Sequence, residues 1–198
     1  MKKIIKNTLI LTMITLIAGI CLGFVYQITK DPIAKAEDAA KRAAWQEVFP
    51  KASASDFKEE KLDTKAAKSA IKKMDVNAEI DEVVAVAGGK TGYIITTTDK
   101  DGYGGDIKIT VGITADKKVS GISILSISET AGLGMRATEP SFYNQYKDKS
   151  ATEKFVVQKD YSGSGQAIDQ LSGATITSRA VTGAVNAAVG YYEKALAK

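Results

Sequence analysis

Between Asn7 and Thr29 the chain carries no charged residue, and from Leu9 to Ile28 it reads LILTMITLIAGICLGFVYQI, apolar except for Thr12, Thr15 and Gln27. A helix of about 20 such residues, rising ~1.5 Å per residue, matches the ~30 Å hydrocarbon core of a bilayer. The run predicts a membrane-spanning helix. Tyr26 falls near its far end, where aromatic side chains favour the interface. A cleaved signal peptide shares the basic start, but its apolar stretch is ~7–15 residues and ends at a small-x-small site. Tyr26-Gln27-Ile28 is a poor processing site, and the bulky Ile20 before Cys21 argues against lipoprotein cleavage. A retained anchor is therefore expected. Lys2, Lys3 and Lys6 crowd the residues before the run and favour that end in the cytoplasm, with the large remainder translocated. Lys30, Lys35, Lys41 and Arg42 follow the run and keep the charge bias modest.

Composition excludes several chemistries. The 198 residues contain no histidine, which removes Ser-His-Asp and Cys-His catalysis, His-ligated haem and His-containing zinc sites. The one cysteine rules out a four-Cys iron–sulfur cluster, a Cys₄ zinc site and an internal disulfide. Any redox or group-transfer chemistry then depends on an organic cofactor. The net charge is +4, but Lys2, Lys3 and Lys6 account for most of it, so the body is nearly neutral. It lacks the electrostatic footprint of a nucleic-acid binder.

A chain of this length favours one folded domain plus an appendage. Asp31-Pro32 reads as a helix start, and the Ala-rich charged stretch from Ile33 to Val48 as a juxtamembrane helix stopped by Phe49-Pro50. Within 51–80 only a helix near Lys65–Met74 is assigned. The texture then turns to β: Glu82–Ala87, Tyr93–Thr98, Ile107–Ile113 and Val119–Ile127 are rich in Val, Ile and Thr and are separated by Gly- and Asp-containing turns. That pattern predicts an antiparallel meander. After Ser178, apolar Val181, Val185, Ala188, Val189, Tyr192 and Leu196 recur at helical spacing. The expected class is α+β, an antiparallel sheet with packed helices behind one N-terminal transmembrane helix. The expected divisions are 1–29 (cytoplasmic N-terminus and transmembrane helix), 30–80 (juxtamembrane helical region) and 81–198 (the main domain).

Three stretches could carry chemistry. The first is Asp169-Gln170-Leu171-Ser172-Gly173-Ala174-Thr175-Ile176-Thr177-Ser178, small and hydroxyl-bearing, just before a helix. A helix N-terminus offers unpaired N–H groups and a positive dipole end, which suit a phosphate, while glycine lets backbone approach and hydroxyls donate or form an attachment point. An ordinary loop with an N-cap fits the same residues. The second is Ser128-Glu129-Thr130-Ala131-Gly132-Leu133-Gly134, either a turn with a tucked leucine or a loop laid against a planar ligand. The third, Gly102-Tyr103-Gly104-Gly105, reads by itself as a hairpin connection. There is no GxxxxGK[ST] signature, so nucleotide hydrolysis has no support.

In this order the three stretches resemble the FMN-binding domain family of ion-pumping electron-transport complexes. The resemblance is to the G subunit of the Rnf complex, with the C subunit of the sodium-translocating NADH:quinone reductase as its relative, and it extends over 1–198. One departure is Ala131, where the family usually has proline. The resemblance implies FMN joined through its phosphate to a threonine hydroxyl by a phosphoester bond, made by a separate flavin transferase. The matching residue is Thr175, within Ser172, Gly173, Ala174, Thr175 and Thr177. It places Glu129, Thr130, Gly132, Leu133 and Gly134 near the flavin, adds Lys159 near the ring, and puts Asp169 in the segment the transferase reads.

The function this implies is electron carriage by covalent FMN within a membrane complex that couples ferredoxin:NAD⁺ electron transfer to ion translocation. No independent catalytic residue is then expected, the partners being the other proteins of the complex, the transferase and the membrane. A stand-alone extracytoplasmic flavin reductase and a non-redox, membrane-anchored binding module are the alternatives. Purified protein without flavin would be colourless in the last case, and co-purifying membrane partners separate the first two.

Overall fold

The computed structural model describes residues 1–158 and 166–197. The chain divides into two units, Met1–Lys41 and Arg42–Lys198. Helix α1 runs from Lys2 to Val48, and its apolar stretch is long enough to cross a membrane and is exposed throughout. Asp31-Pro32 does not begin a new helix, because Pro32 lies inside α1. A proline removes one backbone donor and crowds the preceding turn, and here the helix continues through it.

The second unit is built on a five-stranded antiparallel sheet in chain order: β1 (Phe57–Glu60), β2 (Ala78–Val86), β3 (Gly92–Asp99), β4 (Ile107–Thr114) and β5 (Val119–Ser126). The meander is as expected for β2 to β5, since each strand is a β-branched run and each connection holds glycine or aspartate. Strand β1 has no such signal. Its sequence FKEE is charged, and pairing with β2, Phe57 opposite Val86 and Glu60 opposite Val83, gives it its strand form. Helix α2 (Thr64–Met74) starts at Asp63, whose carboxylate accepts from the N–H groups of Lys65 and Ala66. Residues 57–80 contribute β1, α2 and the start of β2 to the unit that carries the sheet.

The sheet is covered on both faces. On one, α2 and the long helix α4 (Thr175–Tyr191) bury Ala70, Met74, Val83, Ile95, Ile109, Val111, Val181, Val185 and Val189 in the main core. On the other, Trp45, Val48 and Phe49 pack with Val84, Val86 and Ile94. Covered on both sides, β2–β4 are buried without a break over 83–86, 94–97 and 109–113, whereas a sheet with one wet face would alternate. Helix α4 is buried on nearly every side, and its polar residues are accommodated individually. Thr182 meets the Tyr146 hydroxyl at 2.7 Å, and the Asn186 amide pairs with both backbone groups of Phe155. A short parallel pair, β6 (Val156–Gln158) with β7 (Ala167–Asp169), precedes α4 and fixes its approach.

Candidate functional site

The three stretches singled out in the sequence meet in one cleft of about 580 Å³. Its walls are Tyr103, Glu129, Thr130, Leu133, Gly134, Gly173, Ala174, Thr175, Ile176 and Thr177. Glu129 joins two of them, its Oε1 accepting the Gly104 N–H at 3.2 Å. The same carboxylate explains Gly134, because a Cβ there would stand 2.7 Å from Oε2 and 2.6 Å from the Thr177 hydroxyl. Thr130 organises its loop through the backbone, its carbonyl accepting from the N–H groups of Leu133 and Met135. Gly132 turns that loop with φ of +75° but does not line the cleft. Leu133 extends toward Gly173, where an added Cβ would lie 3.1 Å from its Cδ2.

Helix α4 begins at Thr175, four residues earlier than the expected start after Ser178. Hydroxyl-rich sequence reads as loop because such side chains compete for backbone groups, but here they bond back along the helix. The Ser178 hydroxyl donates to the Ala174 carbonyl and accepts from the Leu171 N–H, both at 2.9 Å. Thr175 is thus the first helical residue, and Thr177 and Ser178 lie in the first turn. The cap position is Ala174, whose side chain cannot accept a hydrogen bond, and the first turn carries no acidic residue. The N–H groups at the start of a helix that lack intrahelical acceptors point toward this end.

The hydroxyls differ sharply in access. Thr177 is 2% exposed and Ser178 fully buried, while Thr175 is half-buried on the cleft wall with its hydroxyl donating to the Gln170 side-chain oxygen at 3.0 Å. Ser172 is exposed but opens onto a neighbouring cleft of about 470 Å³, lined with Arg136, Asp169, Gln170 and others. Among the described residues, only Gly173 lines both clefts. Lys159 lies outside the described residues.

Two wall residues, Tyr103 and Ile176, are not selected by sequence reasoning. Beyond α1, the exposed large apolar side chains among the described residues are Tyr103, Leu133, Val156 and Ile176, and three of these four line this cleft. An exposed apolar cluster around a concave, partly polar site is the usual mark of a ligand surface. A lone isoleucine amid threonines is the available signal for Ile176. The fit to a flavin nucleotide is good in kind: apolar side chains for a planar ring, and an uncapped helix N-terminus for a phosphate.

Comparison with known proteins agrees. Residues 102–190 match the model of the FMN-binding domain, and residues 1–48 that of the RnfG N-terminal region. The chain is 33% identical to the G subunit of the Na(+)-translocating ferredoxin:NAD(+) oxidoreductase complex of Acetobacterium woodii, over 97% of this chain and 93% of that one. The chain belongs to the RnfG family. It is 44% identical to the G subunit of the proton-translocating ferredoxin:NAD(+) oxidoreductase complex of Clostridium ljungdahlii, over 58% of this chain and 60% of that one. The C subunit of the Na(+)-translocating NADH-quinone reductase from Parabacteroides distasonis is 28% identical, covers 59% of this chain and 61% of its own, and superposes with a TM-score of 0.49. As an RnfG family member, the chain is a single-pass membrane protein with an FMN-binding domain, and its relatives belong to multi-subunit complexes.

Proposed function

We propose that this protein is the membrane-anchored electron-transfer component of an Rnf-type complex, carrying FMN as a phosphoester on Thr175. Bound FMN supplies the redox chemistry, and the chain supplies anchorage, orientation and partial shielding. One observation carries the residue assignment. Thr175 and Thr177 both line the cleft, but of the hydroxyl-bearing residues on the first turn of α4 Thr175 alone is only half-buried, whereas Thr177 and Ser178 are buried. A phosphate there would meet N–H groups at the start of α4, where the Ala174 side chain cannot cap them. Tyr103, Leu133 and Ile176 would cover apolar flavin surface, and Glu129 holds the Tyr103 loop against the Gly134 loop. The basic residues before the apolar run favour an N-terminus in the cytoplasm and an FMN-binding domain on the outer side. A flavin transferase, separate from this chain, makes the bond.

The test is the mass of the intact protein, with and without transferase in the host. Wild type should gain one FMN less water and stay fluorescent after denaturing electrophoresis. Thr175→Ala should lose both signals, and Thr177→Ala should keep most of each. A Thr175→Ala band that still glows would move the attachment elsewhere.

A further inference from the structure

The hydrogen bond between Thr175 and Gln170 crosses from the first cleft to the second, since Thr175 lines one and Gln170 the other. The base of the Gln170 side chain is fixed by its surroundings. Its own N–H donates to the Gln158 carbonyl at 3.1 Å, and the next N–H, of Leu171, donates to the Ser178 hydroxyl at 2.9 Å. One residue earlier, the Gln145 side chain clamps Asp169, accepting from its N–H at 2.7 Å and donating to its carbonyl at 3.2 Å. A side chain on so constrained a backbone, reaching the one accessible hydroxyl of the turn, does more than fill space.

We infer that Gln170 is the positioning residue for flavin attachment at Thr175, first as acceptor and then as donor; this rests on the attachment proposed above. Joining a free phosphate to an alcohol in water is uphill, so the donor must be a phosphoanhydride, a flavin dinucleotide. The Thr175 oxygen attacks the flavin-side phosphorus and forms the new O–P bond. The anhydride O–P bond breaks, a nucleoside monophosphate leaves, and the hydroxyl proton passes to a base on the transferase or to solvent. While the Thr175 proton is held by the Gln170 oxygen, the lone pairs of the Thr175 oxygen are free to face the incoming phosphorus. After attachment that proton is gone and a phosphodiester anion stands in its place. A primary amide meets both states, because a half-turn about its last bond presents N–H where the oxygen was. A carboxylate can accept but not donate, and it repels the anion; an alkyl group does neither.

The experiment co-expresses the full chain with the transferase and follows flavin per protein by intact mass over time. Gln170→Leu and Gln170→Glu are compared with wild type, and the unflavinylated forms are melted to establish folding. Loss of one hydrogen bond to the reacting group predicts incorporation about three- to tenfold slower in Gln170→Leu. Gln170→Glu should be at least as slow. In the flavinylated proteins the ³¹P chemical shift of the attached phosphate should differ between wild type and Gln170→Leu, which a merely structural role would not produce. Wild-type rates in either variant, or an unchanged shift, overturn the inference. Gln170→Glu decides alone if Gln170→Leu does not melt cooperatively. Incorporation that survives Thr175→Ala removes the attachment site itself, a separate failure that takes this inference with it.

Discussion

Glu129 reaches across the site to Gly104, accepting its backbone N–H at 3.2 Å, and so ties the loop after β5 to the hairpin that carries Tyr103. Glu129→Ala should release that hairpin. The expected cost is about 1 kcal/mol of stability, the net worth of one such hydrogen bond, together with a displaced flavin midpoint potential. Glu129→Gln keeps an acceptor oxygen and should stay near wild type in melting. Equal melting curves for wild type and Glu129→Ala would mean that the tie contributes nothing.

Gly134 and Gly132 should respond oppositely to the same added methyl. At Gly134 the Cβ meets Glu129 and Thr177 at 2.6–2.7 Å in a packed wall, so Gly134→Ala must shift the loop and alter the flavin spectrum. At Gly132 the space is open and only the left-handed backbone resists, with φ of +75°. There alanine should cost about 1–3 kcal/mol of stability and leave the spectrum unchanged. Melting and absorbance spectra of the two variants, side by side, check the contrast.

Asp99, at the end of β3 and 2% exposed, lies against α4 where Gly183 leaves room for its carboxylate. Burial pushes its pKa up to about 6; the Asp101 N–H it accepts opposes this, and Asp101 and Asp106 add repulsion. The folded state therefore holds this proton more tightly than the unfolded chain. Its stabilising contribution is complete below the ordinary aspartate pKa and is lost as pH rises through about 6. Asp99→Asn keeps an acceptor for Asp101 and removes the titration. The variant should gain melting temperature over wild type at about pH 7.5, and that gain should shrink at about pH 4.5. A pH-independent difference would show that the carboxylate is not the source.

Topology has a direct test. Protease added to intact cells with a permeable wall should digest the chain beyond Lys30, because the lysines precede the apolar run. Digestion only after the membrane is broken would invert the orientation.

Much of this molecule is legible in its sequence, for identifiable reasons. Strands β2 to β5 carry their own β-branched runs and turn residues, and α2 carries both its periodicity and its Asp63 cap. Strand β1 is hidden because FKEE has no intrinsic strand signal and owes its state to a partner. The start of α4 is misread because Thr175, Thr177 and Ser178 look like loop formers until the Ser178 hydroxyl is seen bonded to the Ala174 carbonyl. The site shows itself as three separate stretches. Their meeting, and the roles of Tyr103, Ile176 and Gln170, depend on tertiary placement that no local pattern encodes.

Helix α4 follows all five strands in the chain and seals the main face of the sheet. A meander is made of neighbouring pairings, which form quickly because their loops close cheaply. During synthesis or export the sheet can therefore assemble while its Ile95, Ile109 and Val111 surface still awaits a cover. A sheet so exposed would be adhesive until α4 docks. Since α4 begins at Thr175, the step that ends the danger of aggregation is also the step that presents the hydroxyl on its cleft wall.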